Sequence, residues 1–202
     1  MTDLGKLPKD ITTDIFVGNA IGAFARALSD KIDAALMKVT GRSAAACYAI
    51  NQIGSEPGSS ITALSRMLGI EHSSTVRLLD HLERDQLIQR VCDKRDRRGK
   101  RIYLSSKGES MLTDMINARR CVIQPMTGLL DESELATFLA LVEKVMPSVV
   151  FGGEDQHYVC RLCELESCPQ ELCPVNRCFD AWMELPEKPY RRRVDSKRTL
   201  VE

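Results

Sequence analysis

The chain has 202 residues, 28 basic and 28 acidic side chains, and 44% hydrophobic residues. This length and hydrophobic content favour one folded domain, with or without an appendage, over a disordered chain. Zero net charge excludes a uniformly cationic nucleic-acid coat but permits a local basic patch. No apolar run approaches the ~18 residues of a membrane helix, and residues 1–10 lack the apolar core of a signal peptide. We therefore expect a soluble, cytoplasmic protein without a membrane partner.

The first predicted element is a long amphipathic helix from Thr13 to Val39. Thr12 or Thr13 is suited to cap its first turn, and Gly41 is suited to end it. Apolar residues recur every three or four positions, which is the spacing of one helical face. Such a helix packs either on a second subunit or within its own domain, and the sequence leaves both open. The apolar stripe comprises Val17, Ile21, Phe24, Leu28, Ile32, Ala35 and Val39.

Three shorter helices and a hairpin are predicted next. Ser60 caps the middle helix, and Ser73 or Ser74 caps the last. The turn between these two helices contains Gly69, which is typical of a helix-turn-helix. Two strands joined by a charged loop, 93–99, follow directly and form a wing. The predicted bounds are 43–53, 61–68 and 73–86 for the helices, and 87–92 and 100–104 for the strands.

Two further helices complete the main body of the predicted fold. One spans 106–124 and is stopped by Pro125. The other opens at Asp131, whose spacing from Glu134 is that of a capping box, and ends near Pro147. The predicted fold class is therefore mainly α-helical with a small β-hairpin wing: a winged helix-turn-helix.

Positive charge is concentrated on the predicted hairpin. Residues 84–101 contain eight basic and three acidic side chains, a local charge of 8 − 3 = +5. This patch suits phosphate, although a charge run alone often marks only a solvated surface. Arg77 can reach a guanine edge in the major groove, and arginines at the wing tip suit a minor groove. The candidate DNA-contacting residues are Ser73, Ser74, Thr75, Arg77, His81, Arg95, Arg97, Arg98 and Lys100.

These segments resemble the MarR family of winged-helix repressors. The resemblance is carried by 61–83 and by the hairpin, where Asp93-Lys94-Arg95-Asp96-Arg97-Arg98 matches the family's Asp-x-Arg-Asp-x-Arg signature. Leu104-Ser105-Ser106-Lys107-Gly108 is similar to the Leu-Thr-x-x-Gly that follows that signature. The resemblance covers about residues 13–147.

The resemblance implies a homodimer, built from the first helix and the last two, that represses transcription from a roughly palindromic double-stranded operator. It implies that Arg97 is the wing-tip minor-groove arginine and that Asp96 orients its neighbours. It also implies a small aromatic effector, for which the sequence indicates no pocket. The expected organisation is a dimerisation helix at 1–42, a DNA-binding domain at 43–105, dimerisation helices at 106–150, a cysteine-rich metal-binding segment at 151–183 and a flexible tail at 184–202.

The cysteine-rich segment is a departure from the family. Five of the eight cysteines lie in the pattern C-x2-C-x4-C-x4-C-x4-C, and thiols of a cytoplasmic protein stay reduced. A bound cation would neutralise them and supply the folding free energy that the segment's small core lacks. We expect Cys47 and Cys121, which lie in helices, to be buried small hydrophobes.

Three interpretations of this segment are open: an iron–sulfur cluster, zinc, or thiols without metal. Four thiolates in one short segment and two Cys-Pro pairs favour an iron–sulfur cluster, and four such close ligands fit the [4Fe–4S] form better than the [2Fe–2S] form. Zinc, the alternative, usually takes two C-x2–4-C knuckles separated by a longer spacer. His157 is interpreted as a bystander. The predicted ligands are Cys160, Cys163, Cys168 and Cys173, with Cys178 as a spare or alternative ligand.

These patterns predict a DNA-binding transcription regulator. In this prediction the iron–sulfur cluster or a small ligand modulates its DNA binding. The alternative is a zinc-stabilised regulator whose cysteine-rich segment is structural or binds another protein. The sequence has no glycine-rich phosphate loop, nucleophile elbow or zincin helix, so we expect no enzyme.

Overall fold

The structure is a computed structural model that describes residues 12–92, 100–150, 158–164 and 167–184. The predictions for Arg95, Arg97, Arg98, His157 and residues 185–202 lie outside this part of the chain. The described residues are mainly helical with one small sheet, which confirms the predicted fold class. The helices are α1 (Thr13–Thr40), α2 (Ala44–Ser55), α3 (Ile61–Leu68), α4 (His72–Arg84), α5 (Ser106–Thr127), α6 (Glu132–Val145) and α7 (Pro174–Met183), and the strands are β1 (Ser59–Ser60), β2 (Ile88–Cys92) and β3 (Lys100–Leu104).

The helix-turn-helix forms where the sequence predicts it. The Ser60 side chain accepts a hydrogen bond from the Ala63 N–H and so caps α3. Gly69 ends α3 at φ 67°, in the left-handed region that glycine tolerates best. The apolar faces of α2, α3 and α4 meet the hairpin in one core. Its fully buried side chains include Ile50, Ile53, Leu64, Leu79, Leu82, Leu87 and Ile102.

The sheet has the order β1-β3-β2, with both pairings antiparallel. Ile88 lies opposite Leu104, and these two side chains lie with Ile102 on the core side, whereas Val91 is exposed. The two residues of β1 pair with Ile102 and Arg101. This strand was missed in the sequence because a serine pair before a helix has the pattern of a cap, not of a strand.

Two predicted helix limits are wrong. The N-cap of α4 is Glu71, without a side-chain cap hydrogen bond, so neither Ser73 nor Ser74 caps it. Pro125 lies inside α5 instead of ending it. Pro125 lacks only its own backbone N–H donor. The hydrogen bonding of the helix continues beyond it, since the Gly128 N–H donates to the Gln124 carbonyl at 2.8 Å.

The long helices leave much apolar surface uncovered within one chain. Leu36 and Thr40 are the buried residues of α1, whereas Ile21 is 62% and Phe24 is 47% exposed. No residue of α6 is buried, although the predicted capping box between Asp131 and Glu134 is present and stabilises its start. Much of the apolar surface predicted for α1 and α6 therefore faces outward, although Ile32 of α1 packs against the main core.

The cysteine-rich segment has a small core of its own. Val150, Cys160 and Val175 are buried there, and Met146 at the end of α6 packs against them with Cys163, Cys173 and Cys178. Leu162 instead packs against the main core, so the segment is joined to the body of the molecule. Among the helices of the described ranges, none has the length and apolar character that a membrane span requires.

Candidate DNA-binding face and cysteine centre

The exposed side of α4 carries the polar residues that the sequence assigns to DNA. Ser73, Ser74, Arg77 and His81 are all exposed, while Leu79 and Leu82 fix the opposite side of the helix in the core. Ser73, Ser74 and Arg77 lie on the first two turns of the helix, and His81 lies in its last turn. A duplex that approached this side would therefore meet hydroxyl, guanidinium and imidazole groups together.

Thr75 is a correction to the predicted set. Its side chain is 0% exposed, and its hydroxyl donates to the Glu71 carbonyl at 3.1 Å. The helical period explains the error, because a residue two positions before Arg77 points about 160° away from it around the axis. Thr75 secures the first turn of α4 and is not available to DNA.

Part of the positive charge near the wing is already neutralised. Arg90 of β2 is 12% exposed and pairs with Asp80 at 2.7 Å and Glu83 at 3.4 Å, both on α4. Arg101 donates from Nη1 to the Gly58 carbonyl at 3.2 Å. The ion pairs of Arg90 hold the hairpin against α4, so the charge offered to a phosphate is smaller than the sequence count suggests. Lys100 is exposed at the start of β3.

The thiols of the cysteine-rich segment form hydrogen-bonded pairs. The Cys160 thiol donates to the Cys163 sulfur, and this bond, helped by the charge of Arg119, lowers the pKa of Cys163 to about 6. The same bond, followed by burial, raises the pKa of Cys160. Burial and then the charge of Cys173, with which Cys168 shares a hydrogen bond, raise the pKa of Cys168. All eight cysteines are free of disulfides.

The four predicted ligands affect one another electrostatically. The charges of Cys163, Cys173 and Cys168 all raise the pKa of Cys160. The pKa of Cys178 is raised by burial and then by the charge of Cys173. Cys160, Cys163, Cys173 and Cys178 thus pack in one small core, and Cys168 lies near enough to Cys163 and Cys173 to be affected by their charges. Within the described ranges, however, no three His, Cys, Asp or Glu side chains already have the arrangement that holds a single metal ion.

Side chains of α2 and α5 attach this centre to the body of the molecule. Asn51 on α2 donates from Nδ2 to the Cys163 carbonyl at 3.1 Å. Arg120 on α5 binds the Glu164 carboxylate through two nitrogens. The Ser167 hydroxyl and Arg120 lower the pKa of Glu164. Sequence reasoning missed these contacts because their partners are far apart in the chain. Cys121, which we expected to be buried, is exposed on α5.

A cleft of about 440 Å³ lies between α2, β3, α5 and the cysteine-rich segment. Leu104, Leu112 and Ile116 supply apolar walls, while Tyr103 and Asn51 supply polar groups. Cys163 and Glu164 form the side nearest the thiols. No local sequence pattern indicates this cleft, because its walls come from four separate parts of the chain.

Two helices joined by a short turn, α3 and α4, are followed by the antiparallel strands β2 and β3. This order of elements defines a winged helix-turn-helix protein. Residues 40–99 match the family model described as MarR family, in agreement with the resemblance in the sequence. That match covers the helix-turn-helix and β2, and it ends before β3 and the cysteine-rich segment.

Solved structures of similar fold extend the comparison to the long helices. YusO from Bacillus subtilis has 16% identity and a TM-score of 0.58, over 67% of this chain and 98% of YusO. FabT from Streptococcus pneumoniae, solved in complex with DNA, has 19% identity and a TM-score of 0.56, over 63% and 94%. RV1404 from Mycobacterium tuberculosis has 17% identity and a TM-score of 0.61, over 71% and 98%. At these identities the likeness shows the fold.

Proposed function

We propose that this protein is a transcription regulator of the MarR type that binds a double-stranded, roughly palindromic operator and represses transcription. The observation that carries the proposal is the exposed polar side of α4, held beside a basic hairpin by the ion pairs of Arg90. The MarR family match over 40–99 and the fold shared with FabT, which was solved with DNA, support it. Such a protein needs no catalytic centre.

The regulator acts as a homodimer. Two long helices, α1 and α6, present apolar side chains such as Phe24, Phe138 and Leu139 to the outside of a single chain. Leaving this much apolar surface in water is unfavourable, and a second copy covers it with its own equivalent surface. Two-fold symmetry then sets two α4 helices at the spacing of successive major grooves.

Selection of duplexes from a random library tests DNA binding without knowledge of the operator. The full chain is expected to enrich sequences with two inverted half-sites, and its affinity for them should fall linearly on a log–log plot as salt increases. A scrambled duplex of the same composition is the control. Equal affinity for enriched and scrambled duplexes, or no binding at low salt, would contradict the proposal.

The second part of the proposal concerns the cysteine centre, which binds a [4Fe–4S] cluster that modulates operator binding. Cys160, Cys163, Cys168 and Cys173 are its ligands, supported by their mutual electrostatic influence. Metal binding would replace the two S–H···S hydrogen bonds with thiolate–metal bonds and release protons. Cys178 is the spare, because it lies farthest along the chain from the C-x2-C pair of Cys160 and Cys163. Zinc is the alternative metal, and it would make the segment a structural or protein-binding unit.

Iron, sulfide and zinc analysis of anaerobically purified protein tests this assignment. We expect a brown protein with about four irons per chain, as a [4Fe–4S] cluster requires. Each Cys→Ser replacement among the four ligands should lower the iron content, whereas Cys178→Ser should not. Cys121→Ser, at an exposed thiol outside the segment, is the control. A colourless protein with one zinc per chain would refute the cluster.

The cleft beside α5 is the proposed site of a small aromatic effector. Its volume of about 440 Å³ and its mixture of leucine, isoleucine and tyrosine side chains suit a single aromatic ring with one polar substituent. Simple phenols and benzoates should raise the melting temperature of the wild type. Leu112→Trp, which fills the cleft, should abolish that rise. An equal rise in both proteins would exclude this cleft as the site.

A further inference from the structure

Arg161 lies between the first two cysteines of the centre. The turn that carries it is closed by a hydrogen bond from the Cys163 N–H to the Cys160 carbonyl at 2.8 Å. The guanidinium carbon of Arg161 lies 4.0 Å from the centre of the Tyr158 ring and 4.6 Å from that of the Tyr48 ring. Its Nη1 also donates to the Tyr158 carbonyl at 2.6 Å. Two ring faces and a carbonyl therefore fix this side chain.

The two rings connect Arg161 to the DNA-binding part of the molecule. Tyr48 belongs to α2, and its hydroxyl donates to Oδ1 of Asp33 on α1 at 2.9 Å. The Tyr158 ring packs on Gly69, so closely that a Cβ there would meet the ring at 3.2 Å. Gly69 is the first residue of the turn that leads into α4. A continuous contact path thus runs from the C-x2-C turn to the start of the helix that faces DNA.

Two polar attachments of the C-x2-C turn lead elsewhere. Asn51 of α2 donates a hydrogen bond to the Cys163 carbonyl, and Arg120 of α5 binds the Glu164 carboxylate. Arg161 is the attachment, among these three, that leads to the turn before α4. A cleft of about 200 Å³ lined by Tyr48, Leu68, Gly69, Ile70 and Tyr158 lies along this path. It leaves the Tyr158 ring room for a second position.

We propose that Arg161 is the positioning residue through which the state of the cysteine centre controls the placement of α4. The inference rests on the proposed function. Ligation of a metal by Cys160 and Cys163 holds the backbone of the turn in one conformation, and Arg161 then keeps the Tyr158 ring against Gly69. Loss of the metal frees the turn, the Arg161 stack loosens, and α4 is no longer held in the conformation that fits an operator.

The test compares operator affinity of metal-loaded and metal-free full-length protein by fluorescence anisotropy, using the enriched duplex. Wild type should bind about 5- to 150-fold more tightly when loaded, the usual range of such coupling. Arg161→Gln should bring this ratio close to one while its metal content stays at the wild-type level. Arg161→Lys, which keeps the charge without the planar group, should restore part of the ratio.

Arg177→Gln is the matched control. Arg177 lies in the same segment and pairs with Glu143 of α6 at 3.2 Å, away from the turn before α4. Its replacement should leave the ratio at the wild-type value. Should Arg161→Gln fail to fold, Tyr158→Ala replaces it, because this variant removes the ring from Gly69 and leaves the C-x2-C turn intact. The same loss of coupling is expected.

Hydrogen exchange of residues 68–76 provides a readout that a purely structural role of Arg161 would not change. Metal loading should slow exchange there in wild type but not in Arg161→Gln. A fully metallated Arg161→Gln or Tyr158→Ala that retained the wild-type ratio would overturn the inference. The inference would also be overturned if wild-type protein bound the duplex equally well with and without metal, or if it bound no metal. Neither result would contradict the proposed DNA binding. A wild type that binds no duplex contradicts the proposed function instead.

Discussion

At the scale of single residues, the direction of a side chain decides its role more than its chemistry does. Ser73, Ser74 and Thr75 are three consecutive hydroxyl residues at the start of α4. The first two are exposed, whereas Thr75 is buried and bonded to the Glu71 carbonyl. All three side chains carry a hydroxyl group that could bond to DNA. Their positions around the helix axis decide which of them face the outside.

Arg77 and Thr75 form a matched pair for mutagenesis. Arg77→Ala should weaken binding to the preferred duplex by about 1–3 kcal/mol and relax the preference at one base pair, because a bidentate base contact is lost. Thr75→Val, of similar shape and buried, should leave operator affinity unchanged while lowering the free energy of unfolding by about 1 kcal/mol. Anisotropy titrations and urea unfolding measure the two effects. If Thr75→Val cost as much affinity as Arg77→Ala, the exposed side of α4 would be wrongly assigned.

The wing arginine Arg97 provides a second residue-scale prediction. Arg97→Ala should weaken binding to all duplexes to a similar degree and reduce the salt slope by about 1, because one contact to the DNA backbone or its narrow groove is lost. Arg26→Ala is the control, since Arg26 pairs with Asp30 on its own helix. An unchanged slope in Arg97→Ala would refute the wing assignment.

At the scale of elements, the position of the hairpin depends on how closely α5 approaches it. Gly108 lies in the first turn of α5, and a Cβ there would come within 2.1 Å of the Leu87 carbonyl oxygen. That oxygen also accepts a hydrogen bond from the Ser105 N–H at 3.0 Å. Because this neighbour is backbone and cannot rotate away, only glycine fits between helix and strand.

Gly108→Ala should lower the free energy of unfolding by about 2 kcal/mol, because the added methyl group forces α5 away from the hairpin. Ser106→Ala, at an exposed position of the same turn, is the control and should change it by less than about 1 kcal/mol. Urea unfolding followed by circular dichroism measures both. A Gly108→Ala protein as stable as wild type would show that this contact is not tight in solution.

At the scale of the whole molecule, the exposed apolar side chains of α1 and α6 form the surface proposed for the dimer contact. Ile21 and Phe24 are large apolar side chains on a helix whose first half has few contacts within its own chain. In the proposed dimer these side chains would be buried, and the core of the cysteine-rich segment contacts the end of α6 through Met146. The cysteine centre is therefore adjacent both to the proposed dimer contact and to the helix-turn-helix.

Phe24→Glu should convert the dimer into monomers, because an unpaired carboxylate would be buried in the interface. Operator affinity should fall with it, since each monomer reaches only one half-site. Asn19→Glu carries the same added charge on the opposite side of α1 and should remain dimeric. Light scattering after size-exclusion chromatography gives the masses. A dimeric Phe24→Glu protein would move the interface elsewhere.

The sequence by itself determined the elements and their order, because caps and periodicity are local. Gly41, Ser60 and the Asp131–Glu134 capping box act within one turn of their own helix, and the structure confirms each of them. The clustering of the cysteines is likewise dictated by short spacings. Their ligation of a metal and the wing-tip contacts of Arg97 stay predictions.

Only the tertiary structure decided which groups remain free to act. In the folded chain Thr75 is buried and Arg90 pairs with Asp80 of α4. Cys121 is exposed, and α5 continues past Pro125. Folding also brought Arg161 between Tyr48 and Tyr158, more than 100 positions from the first of these rings along the chain. Contacts of this kind depend on how separate helices pack, and packing is set by the sum of many distant side chains that no local pattern contains.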